Sequence, residues 1–119
     1  MFFVGFNSGD LEETVENWVT ENYYEGDEDE RENAQWGFFE ELTFLKESNE
    51  DIFKNVESDG MQTDIKSTNE NINKFVELAL ENGDVYFNEN KEVIEGEEWK
   101  KKVETSDNYT ISICQYEED

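Results

Sequence analysis

The chain has 119 residues, 33 acidic against nine basic, and a formal charge of −24. That length holds one hydrophobic core, and the charge excludes direct binding to nucleic acid or to acidic membrane leaflets. Nine Phe, five Tyr and three Trp, each able to bury roughly 150–250 Å², predict a folded domain rather than the disorder that charge alone would imply.

Phe2 to Phe6 is a short apolar run closed by the turn signal Asn7-Ser8-Gly9, and reads as a buried strand. Asp10 reads as a helix N-cap, with Glu13 three residues on to complete a capping box. Leu11, Val15, Trp18 and Val19 then form one helical stripe. Glu12, Glu13, Glu16 and Glu21 are assigned to the opposite face, as a carboxylate ladder with no cation among them. Glu21 to Glu32 is the most acidic stretch, with seven carboxylates in twelve residues and Arg31 as the single cation. As a purely structural feature it is a solvated loop or the acidic first turn of the next helix. The adjacent Tyr23 and Tyr24 favour a contact surface, because Tyr is enriched at interfaces.

From about Glu28 to Glu47, Ala34, Phe38, Leu42 and Leu45 repeat with helical spacing, and a hairpin through Trp36-Gly37-Phe38 is the alternative. Ser48 or Asn49 caps a short helix carrying Ile52, Phe53 and Val56, ended by Ser58-Asp59-Gly60. Residues 61–66 have no clear period. Ser67 and Glu70 read as another capping box, leading into the stripe Ile72, Phe75, Val76, Ala79 and a stop at Asn82-Gly83. The pattern then changes to strands. Val85–Phe87 and Val93–Ile94 predict a hairpin, and Trp99–Thr105 with Tyr109–Tyr116 a second one, Trp99 to Val103 being alternatively one helical turn. Alternation of Tyr109, Ile111 and Ile113 with Thr110, Ser112 and Cys114 predicts a half-buried final strand. The expected class is α+β in a single domain, residues 1–119. Its helices would pack on one face of a mostly antiparallel sheet formed by the C-terminal strands and the N-terminal strand.

Catalytic and metal motifs are sparse. Histidine is absent, which removes the commonest general base and transition-metal ligand. Cys114 has no second cysteine for a disulfide, and it reads as a strand residue in a reducing compartment. Asp27-Glu28-Asp29-Glu30 lacks the ligand spacing and central Gly of a calcium loop. No phosphate loop and no membrane-length apolar run occur. Met1 to Phe6 is too short for a secretory core and has no basic leader. The expectation is a non-enzymatic, cytoplasmic protein without cofactor or metal. Lys100-Lys101-Lys102, the one basic cluster, reads as a solvated turn or a guarded edge strand.

Three origins of the charge compete. Halophilic adaptation fits poorly with 24 Glu against nine Asp and 13 Asn. A generic solubility surface is the second, and a surface built to meet a basic partner is the third. In size, charge, cysteine poverty and mixing of acids with aromatics, the chain resembles the small DNA-mimic anti-restriction and anti-CRISPR inhibitors of phages and mobile elements. That resemblance implies a bacterial host and a basic nucleic-acid-binding partner, namely a CRISPR effector, a restriction enzyme or another nuclease. The residues expected to stand in for phosphates are Glu12, Glu13, Glu16, Glu21, Asp27, Glu28, Asp29 and Glu30, with Tyr23 and Tyr24 as apolar anchors. Two alternatives share the same physics: an immunity protein against a basic nuclease toxin, and a mimic that regulates a histone-like protein or repressor.

Overall fold

The computed structural model describes residues 1–7, 10–23, 47–54, 56–59 and 62–115. In chain order these form β1 (Phe2–Phe6), α1 (Leu11–Tyr23), α2 (Glu50–Phe53), β2 (Glu57–Asp59), β3 (Gln62–Lys66), α3 (Ile72–Asn82), β4 (Val85–Phe87), β5 (Val93–Ile94), α4 (Gly96–Thr105) and β6 (Thr110–Gln115). The expected helix between Glu28 and Glu47 lies almost wholly outside the described residues. The strands make one mixed sheet in the order β2-β3-β6-β1-β4-β5. Only the β1–β4 pair is parallel, and the other four are antiparallel. The class is α+β, with the N-terminal strand inside the sheet.

Register explains where each helix sits. Gln62, Cys114, Phe3 and Val85 lie side by side across β3, β6, β1 and β4, and the next row is Thr63, Ile113, Val4 and Tyr86. Successive strand residues point to opposite faces, so the two rows serve two cores. Leu11, Val15 and Val19 of α1 pack with Phe3, Val85, Phe87 and Cys114. Phe75 and Ala79 of α3, with Trp99 and Val103 of α4, pack with Val4, Phe6, Ile65, Tyr86, Ile111 and Ile113. The helices are therefore divided between the faces and do not share one as expected. The final strand is not half-buried either. Ile111, Ser112, Ile113 and Cys114 are all buried, because β6 is central and covered on both sides. Each fully buried aliphatic or Phe side chain contributes roughly 1.5–3 kcal/mol, which offsets the self-repulsion of so charged a chain.

Three local expectations change. Residues 57–59 do not end a helix but form β2, paired through Glu57, Ser58 and Asp59 to Asp64, Thr63 and Gln62. Ser67 does not cap α3. It continues the sheet ladder, its N–H donating to Tyr109 O at 2.9 Å and its Oγ accepting from Tyr109 N–H at 3.3 Å. The cap position of α3 is Asn71, without a side-chain cap bond. Residues 99–105 belong to α4, so the hairpin expected between 99–105 and 109–116 does not form, and β6 pairs with β1 and β3 instead. Helix wins there because Trp99 and Val103, four apart, bury one face. Glu97 and Glu98 lie in the first turn and Lys102 in the last, matching the helix dipole.

Gly83 closes α3 through its own N–H, which donates to Ala79 O at 2.7 Å. Its φ of −66° suits any residue, so glycine is required for space. A Cβ would lie 2.5 Å from Ala79 O and 2.7 Å from Tyr86 Oη. That hydroxyl lies 3.1–3.3 Å from the carbonyls of Ala79, Leu80 and Gly83 and donates among them. Gly83→Ala is expected to cost about 1–3 kcal/mol, as overpacking does. Urea unfolding followed by circular dichroism measures it, and an unchanged midpoint would contradict the steric account.

Candidate functional site

α1 is held at its N-terminus by identifiable bonds. Asp10 Oδ1 accepts from Glu13 N–H at 3.2 Å, which makes Asp10 the expected cap. Gln62 Oε1, reaching from β3, accepts from Leu11 N–H at 2.7 Å and Glu12 N–H at 3.1 Å. The Gln62 amide in turn donates to Asp64 Oδ1 at 2.7 Å, and Ser112 Oγ donates to the same oxygen. These side chains satisfy the free N–H groups of the first turn and fix α1 over the sheet. Trp18 adds an edge-to-face contact with Phe3, ring centres 5.4 Å apart.

The four carboxylates on α1 do not form a single ladder. Glu12 and Glu16 are half-buried, and Glu12 lies near enough to Cys114 of β6 to act on its thiol. Glu13 is exposed on the outer surface. Glu21 follows Glu16 by five residues, about 140° around the axis at 3.6 residues per turn. It therefore lies on the other flank, facing the β4–β5 hairpin. The acids wrap the outward half of α1 and do not line one edge. Tyr23 is the last residue of α1. Tyr24, Asp27, Glu28, Asp29 and Glu30 lie outside the described residues.

Charge is divided unequally between the two faces. α1 carries four carboxylates and no Lys or Arg. α2, α3 and α4, on the opposite face, carry seven carboxylates and four lysines between them. One of those lysines, Lys102, pairs with Glu89 at 3.2 Å and ties α4 to the hairpin turn. The lysine triplet thus lies on a helix, not on a turn or an edge strand. Among the described residues, no three carboxylate or thiol groups converge as a metal site requires. No described helix is long and apolar enough to cross a membrane.

Between α1 and the hairpin runs a groove of about 260 Å³, lined by Thr14, Asn17, Trp18, Glu21, Phe87, Lys91 and Val93. Sequence reasoning missed Asn17, Lys91 and Val93, and placed Trp18 in the core alone. The spacing 14, 17, 18, 21 is a helical stripe in its own right and was the available signal. Val93 is 55 % exposed, the one exposed large hydrophobic among the described residues. Lys91 adopts a positive φ of 64°, where few residues other than glycine rest.

Cys114 is fully buried, and burial, with a smaller contribution from Glu12, pushes its thiol from 9.0 up to about 12. Such a thiol is inert as a nucleophile. The unfolded chain releases this proton near pH 9 and the folded chain only near 12, so stability is complete below pH 9 and falls as pH rises between those values. The slope is about 1.4 kcal/mol per pH unit. Tyr86 and Tyr109, raised chiefly by burial, extend the loss in the same direction. Cys114→Ala is expected to flatten the first part of this decline, and a thiol reagent at pH 8 should label the native protein only as fast as it unfolds. Rapid labelling, or an unchanged alkaline curve in the variant, would contradict the burial argument.

Comparison with family models, with curated proteins and with solved structures returns no match to this chain.

Proposed function

We propose that this protein presents the α1 face as a polyanion to the cationic nucleic-acid-binding surface of a partner. It would act as a DNA-mimic inhibitor of a host defence nuclease, either a CRISPR effector or a restriction enzyme. The observation that carries the reading is the unequal division of charge between the faces of the sheet. A surface tuned only for solubility has no reason to leave the long helix on one face without a base while setting four lysines among the acids of the other. Capping by Asp10 and Gln62 holds the acidic helix in a fixed attitude before any partner arrives, which limits the ordering cost of binding.

Density limits what α1 does alone. Thirteen residues span about 20 Å, and duplex DNA of that length carries about 12 charges, against four on the helix. The acids that follow in the sequence, Glu25 to Glu32, would supply most of the remainder. The test is retention from a lysate containing such nucleases on immobilised protein. The expected catch is a basic nucleic-acid-binding protein, displaced by duplex DNA and released at high salt. Capture of an acidic partner, or complete indifference to competing DNA, overturns the reading.

A further inference from the structure

The groove beside α1 has a composition that the carboxylates alone do not explain. At about 260 Å³ it falls below the roughly 300–1,000 Å³ of pockets that enclose drug-sized ligands, and it is the size for a single side chain. Its floor is the buried ring of Phe87, and one wall is the half-buried indole of Trp18. Val93 forms an apolar lip, with the carboxylate of Glu21 and the amide of Asn17 exposed at the rim. Thr14 is already engaged, its Oγ donating to Asp10 O at 3.1 Å. An apolar stem, a planar cation and several N–H donors are what such a lining accepts. Arginine has all three, and its guanidinium stacks on indole as well as pairing with carboxylate. Lysine provides the charge without the planar stacking group.

We infer that the groove between α1 and the β4–β5 hairpin seats one arginine side chain of a basic partner protein. The inference rests on the reading of α1 as a partner-binding face, and goes beyond it by naming the side chain and its seat. Charge complementarity selects this occupant: the bordering helix carries four acids and no base, and one of them, Glu21, lines the groove itself. Lys91 is the opposing element. It lines the same groove and its positive charge opposes an incoming cation, so occupancy by an isolated arginine is weak, and removing Lys91 strengthens it.

The probe is a tetra-arginine peptide, compared with tetra-lysine, in an amide and indole N–H chemical-shift titration of the intact protein. The groove predicts the largest shifts at the Trp18 indole and the amides of Asn17, Glu21 and Val93, and tighter binding of arginine than of lysine by about two- to fivefold. Glu21→Gln weakens the arginine peptide by about two- to fivefold, as loss of an exposed ion pair does. Lys91→Gly strengthens it, and also relieves the positive φ. All the substituted residues are exposed, so the variants retain the fold. Equal affinity for the two peptides overturns the assignment to arginine. Shifts confined to Glu12, Glu13 and Glu16 with a silent groove overturn the seat but leave the polyanionic face standing. Shifts no larger on α1 than on α4 overturn both.

Discussion

Trp99→Ala is expected to destabilise the fold by about 3–5 kcal/mol, a large part of the roughly 5–15 kcal/mol that holds a domain together. Trp99 is fully buried and heads the largest of the buried side chains. It joins α4 to the core that α3 shares, with Tyr86 alongside at 5.5 Å between ring centres. One detail separates size from polarity. The indole Nε1 has no hydrogen-bond partner, and an unpaired buried donor costs about 1–3 kcal/mol. Trp99→Phe loses ring area but also removes that donor, so it should cost much less than the alanine change. Urea midpoints of both variants decide it. A phenylalanine variant as unstable as the alanine one would mean that the indole N–H is satisfied and contributes to stability.

Local periodicity made much of this fold readable and stopped where pairing became non-local. β1, the cap at Asp10, α3 and the β4–β5 hairpin each declare themselves within a dozen residues, through apolar spacing and turn residues. β3 does not. Gln62, Thr63, Asp64 and Lys66 look like loop, and only Ile65 looks like strand. They become strand because β6 lies alongside and because Gln62 and Asp64 find partners in α1 and Ser112. α4 reads first as a strand, with one helical turn at Trp99 to Val103 as the alternative, for a related reason. Two apolar residues in ten are a faint stripe, and the evidence for helix lay in the order of acids and lysines along its length. The parallel pairing of β1 with β4 joins residues about eighty positions apart, and it puts helices on both faces. No short window contains that information.

The candidate surface was readable in the same uneven way. The absence of bases from α1 is plain in the sequence. The separation of Glu21 from Glu12 and Glu16 is also there, in a five-residue step that cannot return to the same helical flank. The groove is different. Trp18 and Phe87 approach because α1 crosses the row containing Phe3 and Val85, and Lys91 and Val93 arrive only through the hairpin that follows Phe87.

Reversing Glu12, Glu13, Glu16 and Glu21 together to lysine is expected to weaken the partner complex by about 2–4 kcal/mol, or 30- to 1,000-fold. Each change removes a favourable charge contact and introduces a like charge opposite the partner's bases. Reversing Glu77, Glu81, Glu97 and Glu104 alters net charge equally but on the opposite helices. It should act only through long-range steering, slowing association without changing dissociation much. Stability supplies the control that binding alone cannot. Loss of Glu12 and Glu13 from the first turn costs about 0.3–1 kcal/mol each through the helix dipole, while lower net charge relieves self-repulsion. The α1 variant should therefore stay folded while losing its partner. Salt should separate the same two effects in the parent protein, raising the thermal midpoint by screening repulsion within the chain and weakening the complex by screening attraction across it. If both quadruple variants weaken binding alike, only total charge matters, and the distinct role of the α1 face is lost.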